Sequence, residues 1–176
     1  RILDPACGSG VFLVLAYRRL IEKEMERRGE KLRPEDLYDI LMETIYGVER
    51  ELDACFVTEF SLILTLLHYI EPPELHKNLG FQFPALHNKR IFHGDFFDPD
   101  LSIANLDFQF DWIVGNPPWV PADQQGQLYA SNWVEENKLK SPVGDRNVAE
   151  AFSWKASDLL AEKGLAGIII PATSLV

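Results

Sequence analysis

Five short apolar runs recur along the chain, and each stops at a polar, glycine- or proline-rich turn. They are Ile2-Leu3, Thr44–Val48, Arg90–His93, Phe110–Val114 and Leu165–Ile170. Between them lie stretches with helical spacing of apolar residues: Val11 to Arg28, closed by Gly29, then Pro34 to Met42, Leu52 to Ile70 and Asn147 to Lys163. Alternation of this kind predicts an α/β fold, a mostly parallel sheet with helices on both faces. Apolar residues nearly encircle the helix over 52–70, which is therefore expected to be well buried. Pro72 and Pro73 end it, and an irregular connection is expected to about Asn88. From Val120 to Arg146 the chain is polar and turn-rich, as expected of a lid that is only partly ordered on its own. The chain opens directly on a strand and closes on the apolar stretch Ile168–Val176, so it is expected to be a segment truncated at both ends.

At 176 residues the chain suits one domain with a real core. The formal net charge of -10 argues against strong binding of a polyanion by this segment alone. Its one basic cluster, Arg18, Arg19, Lys23, Arg27, Arg28, Lys31 and Arg33, is interleaved with Glu22, Glu24, Glu26 and Glu30 and reads as a solvated helix face. Two cysteines, Cys7 and Cys55, leave no disulfide framework and no multi-cysteine metal site, and fit a reducing cytoplasm. The most apolar stretch, Phe60–Leu67, is too short to span a bilayer.

In parallel sheets of this kind ligands bind beyond the carboxyl ends of the strands, and four polar signals stand there. The first is Asp4-Pro5-Ala6-Cys7-Gly8-Ser9-Gly10. Gly8 and Gly10 permit a tight turn and close approach of a ligand. Leu13 replaces the third glycine of a dinucleotide loop, and Asp4 would repel a pyrophosphate but attract an ammonium. A purely structural turn satisfies the same residues. The second is Glu49, either a solvated acid or an acceptor for both hydroxyls of a ribose. The third is Asp95-Phe96, either a turn or a pair that contacts an adenine through its amine and its face. The fourth is Asn116-Pro117-Pro118-Trp119. Two prolines fix two φ angles and remove two donors, leaving a rigid run of acceptors followed by an aromatic face. That suits a planar group carrying an NH2.

Asp-Pro-Ala-Cys-Gly-Ser-Gly resembles motif I, and Asn-Pro-Pro-Trp motif IV, of the amino-methyltransferases. Their order and spelling are similar to the N6-adenine DNA methyltransferases of type I and type IIG restriction–modification systems. The resemblance covers most of the chain apart from the connections near 71–88 and 120–146. It implies a Rossmann-like methyltransferase fold that binds S-adenosylmethionine through Asp4, Pro5, Ala6, Cys7, Gly8, Gly10, Glu49, Asp95 and Phe96. Catalysis is implied at Asn116, Pro117, Pro118 and Trp119, without a metal. Phe152–Pro171 is similar to the later helix, strand and proline of that domain. The implied division is a cofactor-binding part over 1–110, the catalytic motif and lid over 111–146, and the later helix and strand over 147–176. Two departures stand out. Arg50 replaces an apolar residue, and the spacing from Gly10 to Glu49 is long.

The resemblance further implies methyl transfer to the N6 amine of an adenine flipped out of duplex DNA. The DNA would be reached through a target-recognition domain absent here, with specificity or restriction subunits as partners and no membrane. The segment alone is expected to be inactive. Alternatives are an amino-methyltransferase acting on protein glutamine or RNA, and a non-catalytic relative that binds only cofactor. Cytosine C5 methylation needs a Pro-Cys thiolate, whereas both cysteines here follow alanine.

Overall fold

The computed structural model describes residues 1–77, 81–101, 103, 106–124, 126–144 and 147–172, with the side chains of 75–77 excepted. Five strands form one parallel sheet: β1 (Ile2–Asp4), β2 (Ile45–Glu49), β3 (Ile91–His93), β4 (Phe110–Gly115) and β5 (Leu160–Ile168), in the order β3-β2-β1-β4-β5. From β1 the chain winds outward through β2 to β3, then returns to the other side of β1 for β4 and β5. Crossovers between parallel strands keep one hand, so reversing the winding direction moves the connecting helices to the opposite face. Helices α1 (Val11–Arg28), α2 (Pro34–Thr44) and α3 (Leu52–His68) accordingly share one core with Ile45 and Ile91. On the other face α5 (Leu128–Asn137) and α6 (Val148–Asp158) share a core with Leu3, Tyr46, Val48, Phe92 and Ile113. Neighbouring strand residues thus point to opposite cores, as the period of a strand requires.

Glycine ends α1 as expected. Gly29 adopts φ 73° and donates to the Met25 carbonyl. The basic cluster is largely neutralised by local acids: Arg27 and Arg28 bind Glu24, Arg28 and Arg33 bind Asp36, and Lys31 binds Glu71.

The structure departs from the sequence expectations in four places. Pro72 and Pro73 open a short helix, α4 (Pro72–Lys77), because proline suits a first turn where its missing N–H has no partner to lose. Residues 78–80 of that connection lie outside the described residues. The polar stretch 120–146 contains α5, whose Ala130 and Val134, one turn apart, are buried in the core; Gln125, Asp145 and Arg146 fall outside the described residues. The last helix ends at Asp158 rather than Lys163, since the next carbonyl, that of Leu159, accepts from Phe110 N and commits the chain to the sheet. Leu160 then pairs with Phe110 and Leu165 with Trp112, so the strand starts earlier than expected and is irregular between these pairs. The strand ends at Ile168, and residues 173–176 of the expected closing stretch lie outside the described residues.

The fourth departure is α3, which is not buried all round. Cys55, Thr58, Leu62 and Leu66 face the core, whereas Val57, Phe60 and Leu64 are exposed. We predict that Leu62→Ala costs about 2–5 kcal/mol of stability through the cavity it leaves. Phe60→Ala should stay within about 0.5 kcal/mol. Urea unfolding of the two variants checks this, and equal losses would mean that α3 is covered on both sides.

Candidate active site

The loop after β1 is shaped by its glycines and tied to its neighbours by backbone hydrogen bonds. Gly10 caps α1 with φ 83°, and a Cβ there would lie 2.8 Å from Thr58 Cγ2. Thr58 Oγ1 donates to the Gly8 carbonyl at 2.7 Å, and Cys7 N donates to the Val48 carbonyl at 2.9 Å. Glu49, at the end of β2, links two turns with one carboxylate. Its Oε2 accepts from Gly8 N at 2.8 Å and its Oε1 from Glu51 N at 2.8 Å.

Asp4 ends β1 and is fully buried. Its Oδ1 accepts from Ala6 N at 3.1 Å, while no hydrogen bond among the described residues satisfies Oδ2. Burial pushes its carboxyl up to about 7; the Ala6 N–H pulls the other way, and the charge of Glu49 adds to the rise. A buried acid without a partner for one oxygen is costly, and a cation is the group that would relieve it.

A cavity of about 300 Å³ opens past the carboxyl ends of the strands. Pro5 and Ala6 from the first loop, and Glu49, Arg50 and Glu51 from the second, form part of its wall. Asp95, Phe96 and Phe97 follow from the turn after β3, and Asn116 and Pro118 from the turn after β4. Asp95 Oδ1 accepts from Phe97 N at 2.8 Å, which fixes that turn. The Phe96 ring is buried and stacks on Phe152 of α6, with centroids 5.1 Å apart and planes at 13°.

β1 and β4 are adjacent, so the Asn116 turn stands beside the Asp4 loop. The fit is close: a Cβ on Gly115 would lie 2.9 Å from Asp4 Oδ1. Among the described residues no hydrogen bond engages the Asn116 carboxamide, and the residue is exposed. Pro117 is buried. Trp119 is half exposed, and its indole N–H donates to the Ile169 carbonyl at 3.3 Å, which anchors it to the end of β5.

Of the residues singled out in the sequence, Pro5, Ala6, Glu49, Asp95, Phe96, Asn116 and Pro118 share the cavity. Gly8 is linked to it through its bond to Glu49, while Asp4 is outside the wall, buried, and bonded to the N–H of the wall residue Ala6. Cys7 and Gly10 are not in the wall. The Cys7 side chain turns toward α3, with its sulfur 4.0 Å from Thr58 Oγ1, and burial raises its thiol far above the ordinary range. Trp119 also stands outside the wall. Five wall residues were not singled out in the sequence: Glu51, Gly94, Phe97, Gln127 at the start of α5, and Phe152. Arg50 is in the wall as well, and its guanidinium reaches the Gly126 carbonyl at 3.1 Å. Arg50 therefore ties the turn after β2 to the segment beyond the tetrapeptide.

The family model described as "MmeI, DNA-methyltransferase domain" matches residues 1–174. The chain belongs to this DNA-methyltransferase family. It is 32% identical over 176 residues to the type II methyltransferase M.BstVI of Geobacillus stearothermophilus, covering 96% of this chain and 28% of that protein. With the type II restriction enzyme and methyltransferase RM.Eco57I of Escherichia coli it shares 25% identity over 198 residues, covering 98% of this chain and 20% of the relative. Among solved structures it resembles the type IIL restriction–modification enzyme MmeI in complex with DNA, with a TM-score of 0.66, 25% identity, and 96% of this chain and 24% of that one covered. The chain thus spans between a fifth and under a third of the length of these relatives. The acidic cavity lies beyond the carboxyl ends of the strands, where open α/β sheets bind their ligands.

The buried acid gives the methyltransferase domain a pH signature. In the unfolded chain Asp4 titrates near 3.8, and in the folded chain at about 7. The folded state therefore holds this proton more tightly, and the group's contribution to stability declines as pH rises from 4 to 7. We predict that Asp4→Asn is stabilising relative to the parent at pH 8, with an advantage on the order of 4 kcal/mol that vanishes near pH 4. Thermal melts of both proteins across that range check it. A constant difference would place the Asp4 carboxyl in solvent.

Proposed function

We propose that this chain is the methyl-transfer core of a restriction–modification enzyme that methylates the N6 amine of adenine in DNA, with S-adenosylmethionine as donor. The observation that carries the reading is the placement of an acidic cavity against a free Asn116 carboxamide on adjacent strands. Glu49, Glu51 and Asp95 stand in its wall, and Asp4, bonded to the wall residue Ala6, has one buried oxygen that no hydrogen bond among the described residues satisfies. That charge disfavours a pyrophosphate and favours a ligand with cationic groups. Beside its sulfonium, S-adenosylmethionine carries an ammonium, a ribose and an adenine, and the residues present suit these three. Asp4 would take the ammonium, Glu49 the ribose hydroxyls, and Asp95 with Phe96 the adenine amine and ring. When bound, the cofactor supplies an electrophilic methyl group.

The target amine is a poor nucleophile because its lone pair is delocalised into the ring. The Asn116 side-chain oxygen and the Pro117 carbonyl accept its two N–H groups, which draws the nitrogen toward tetrahedral geometry and releases the lone pair. The two prolines hold those acceptors in place before reaction, so little reorganisation is needed as positive charge develops on nitrogen. No basic side chain is required to activate the amine, since its proton leaves after transfer. Extruding the base costs a few kcal/mol. Stacking on the half-exposed face of Trp119 offsets about 1–3 kcal/mol of that.

The net charge of -10 leaves DNA affinity to other parts of the protein. The relatives carry much more chain than this segment, and MmeI was solved on DNA. Target recognition, and any contact with specificity or restriction subunits, is assigned to that additional chain. Residues 120–146 act in this reading as a cover over the extruded base, anchored by α5 and by the Arg50 contact with Gly126.

In the full-length protein, Asn116→Ala should lower the methylation rate by roughly 10²–10³-fold, the usual loss of one preorganised polar partner. S-adenosylhomocysteine affinity should change little, because Asn116 serves the target and not the donor. Methyl transfer to DNA followed by identification of the modified nucleoside, together with calorimetry, tests both halves. Full activity in the variant, or label on cytosine, would overturn the proposal.

A further inference from the structure

Lys155 of α6 is half buried and stands one helical turn from Phe152. Its ammonium donates to the Phe96 carbonyl at 2.6 Å and lies 5.0 Å from the Phe96 ring centroid and 5.3 Å from that of Phe97. Phe152 stacks on Phe96 and meets Phe97 edge-on at 4.9 Å. One helix face thus grips the turn after β3 at three points: a charged hydrogen bond and two rings. The groups facing the ammonium with opposite charge are Asp95 and Asp98, both in that turn. Burial works against its charge and these acids support it.

A lysine placed this way is costly, because a strongly hydrated ammonium has lost much of its water. A methionine would fill the same space, so packing alone does not account for the lysine. The Phe96 carbonyl lies between Asp95 and Phe97, the two ends of the turn fixed by the Asp95 Oδ1 to Phe97 N bond. Holding that carbonyl sets the direction of the Asp95 carboxylate and the plane of the Phe96 ring, both of which border the cavity.

We propose that Lys155 is a positioning residue for the adenosyl end of the cavity, fixing the Asp95–Phe96 turn through the Phe96 carbonyl. This rests on the reading that Asp95 and Phe96 take the donor's adenine. Lys155 itself does not touch the cofactor or the target base. Its contribution should appear in donor binding and not in the chemical step.

The test uses the full-length protein with Lys155→Met, Lys155→Arg, Asp95→Asn and the double variant Lys155→Met/Asp95→Asn. For Lys155→Met the KM for S-adenosylmethionine and the Kd for S-adenosylhomocysteine should rise about tenfold, with kcat within about twofold, the pattern of lost ground-state binding. Lys155→Arg, which keeps the charge and a donor, should recover most of the affinity. The double variant should lose less than the sum of the two single losses, whereas Lys155→Met combined with Asp4→Asn should be additive. If Asp95→Asn binds S-adenosylhomocysteine normally, the adenine reading of the turn is wrong. If Asp95→Asn weakens binding but Lys155→Met binds normally, or adds to it fully, the positioning role is wrong. Should Lys155→Met fail to fold, Lys155→Leu, which also removes both the charge and the donor to the Phe96 carbonyl, takes its place in the same cycle, and the same two outcomes overturn the adenine reading or the positioning role.

Discussion

The parallel pairing of β1 with β4 is the constraint on which the rest of the site depends. The strands succeed each other only after the chain has wound out to β3 and returned, so residues 4 and 115 meet through topology and not through sequence proximity. The pairing opens a crevice beyond the carboxyl ends, where the strand order reverses. It also sets a steric limit, since the space that a side chain at Gly115 would need is taken by the Asp4 carboxylate. An alanine there would displace the acid or separate the two loops, and either change would move the Asp4 loop away from the Asn116 turn.

Electrostatics follows from this arrangement. The ends of β1, β2 and β3 each carry or precede an acid: Glu49 and Asp95 line the cavity, and Asp4 is buried in the loop that contributes Pro5 and Ala6 to its wall. Backbone N–H groups hold all three: Ala6 for Asp4, Gly8 and Glu51 for Glu49, and Phe97 for Asp95. Carboxylates fixed by amides keep their direction, and although Lys155 faces Asp95 and Arg50 stands near Glu51, the described wall of the cavity carries more acids than bases. Asp4 is the extreme case, because burial leaves it with an unsatisfied oxygen and a carboxyl that titrates near neutrality. The nearby cations are used structurally instead. Arg50 commits its guanidinium to the Gly126 carbonyl, and Lys155 its ammonium to that of Phe96.

What the sequence disclosed and what it hid divide along the same line. Each acid, and the Asn-Pro-Pro-Trp turn, directly follows an apolar run, so local pattern alone located them, and their convergence followed from the rule for parallel sheets. The four helices with strong periodicity, α1, α2, α3 and α6, were equally legible. Contacts that close the cavity from a distance were not. Gln127 sits in a polar stretch whose helix buries only Ala130 and Val134 deeply, too weak a periodic signal to stand out. Phe97 is one more aromatic residue in a run, and Arg50 gains its role only when Gly126 is brought opposite. The exposed side of α3 shows the converse limit. Apolar residues all round a helix suggest burial all round, yet in this chain only one side meets the sheet.

The sharpest measurement is a structure of the full-length protein with a non-reactive analogue of S-adenosylmethionine that retains the ammonium. The arrangement predicts the ammonium on Asp4 Oδ2, the ribose hydroxyls on Glu49, the adenine between Asp95 and Phe96, and the transferable end facing Asn116. An analogue bound in this cavity in the reverse direction, with its adenine toward Asp4, or bound outside it, would contradict the assignment of the donor site.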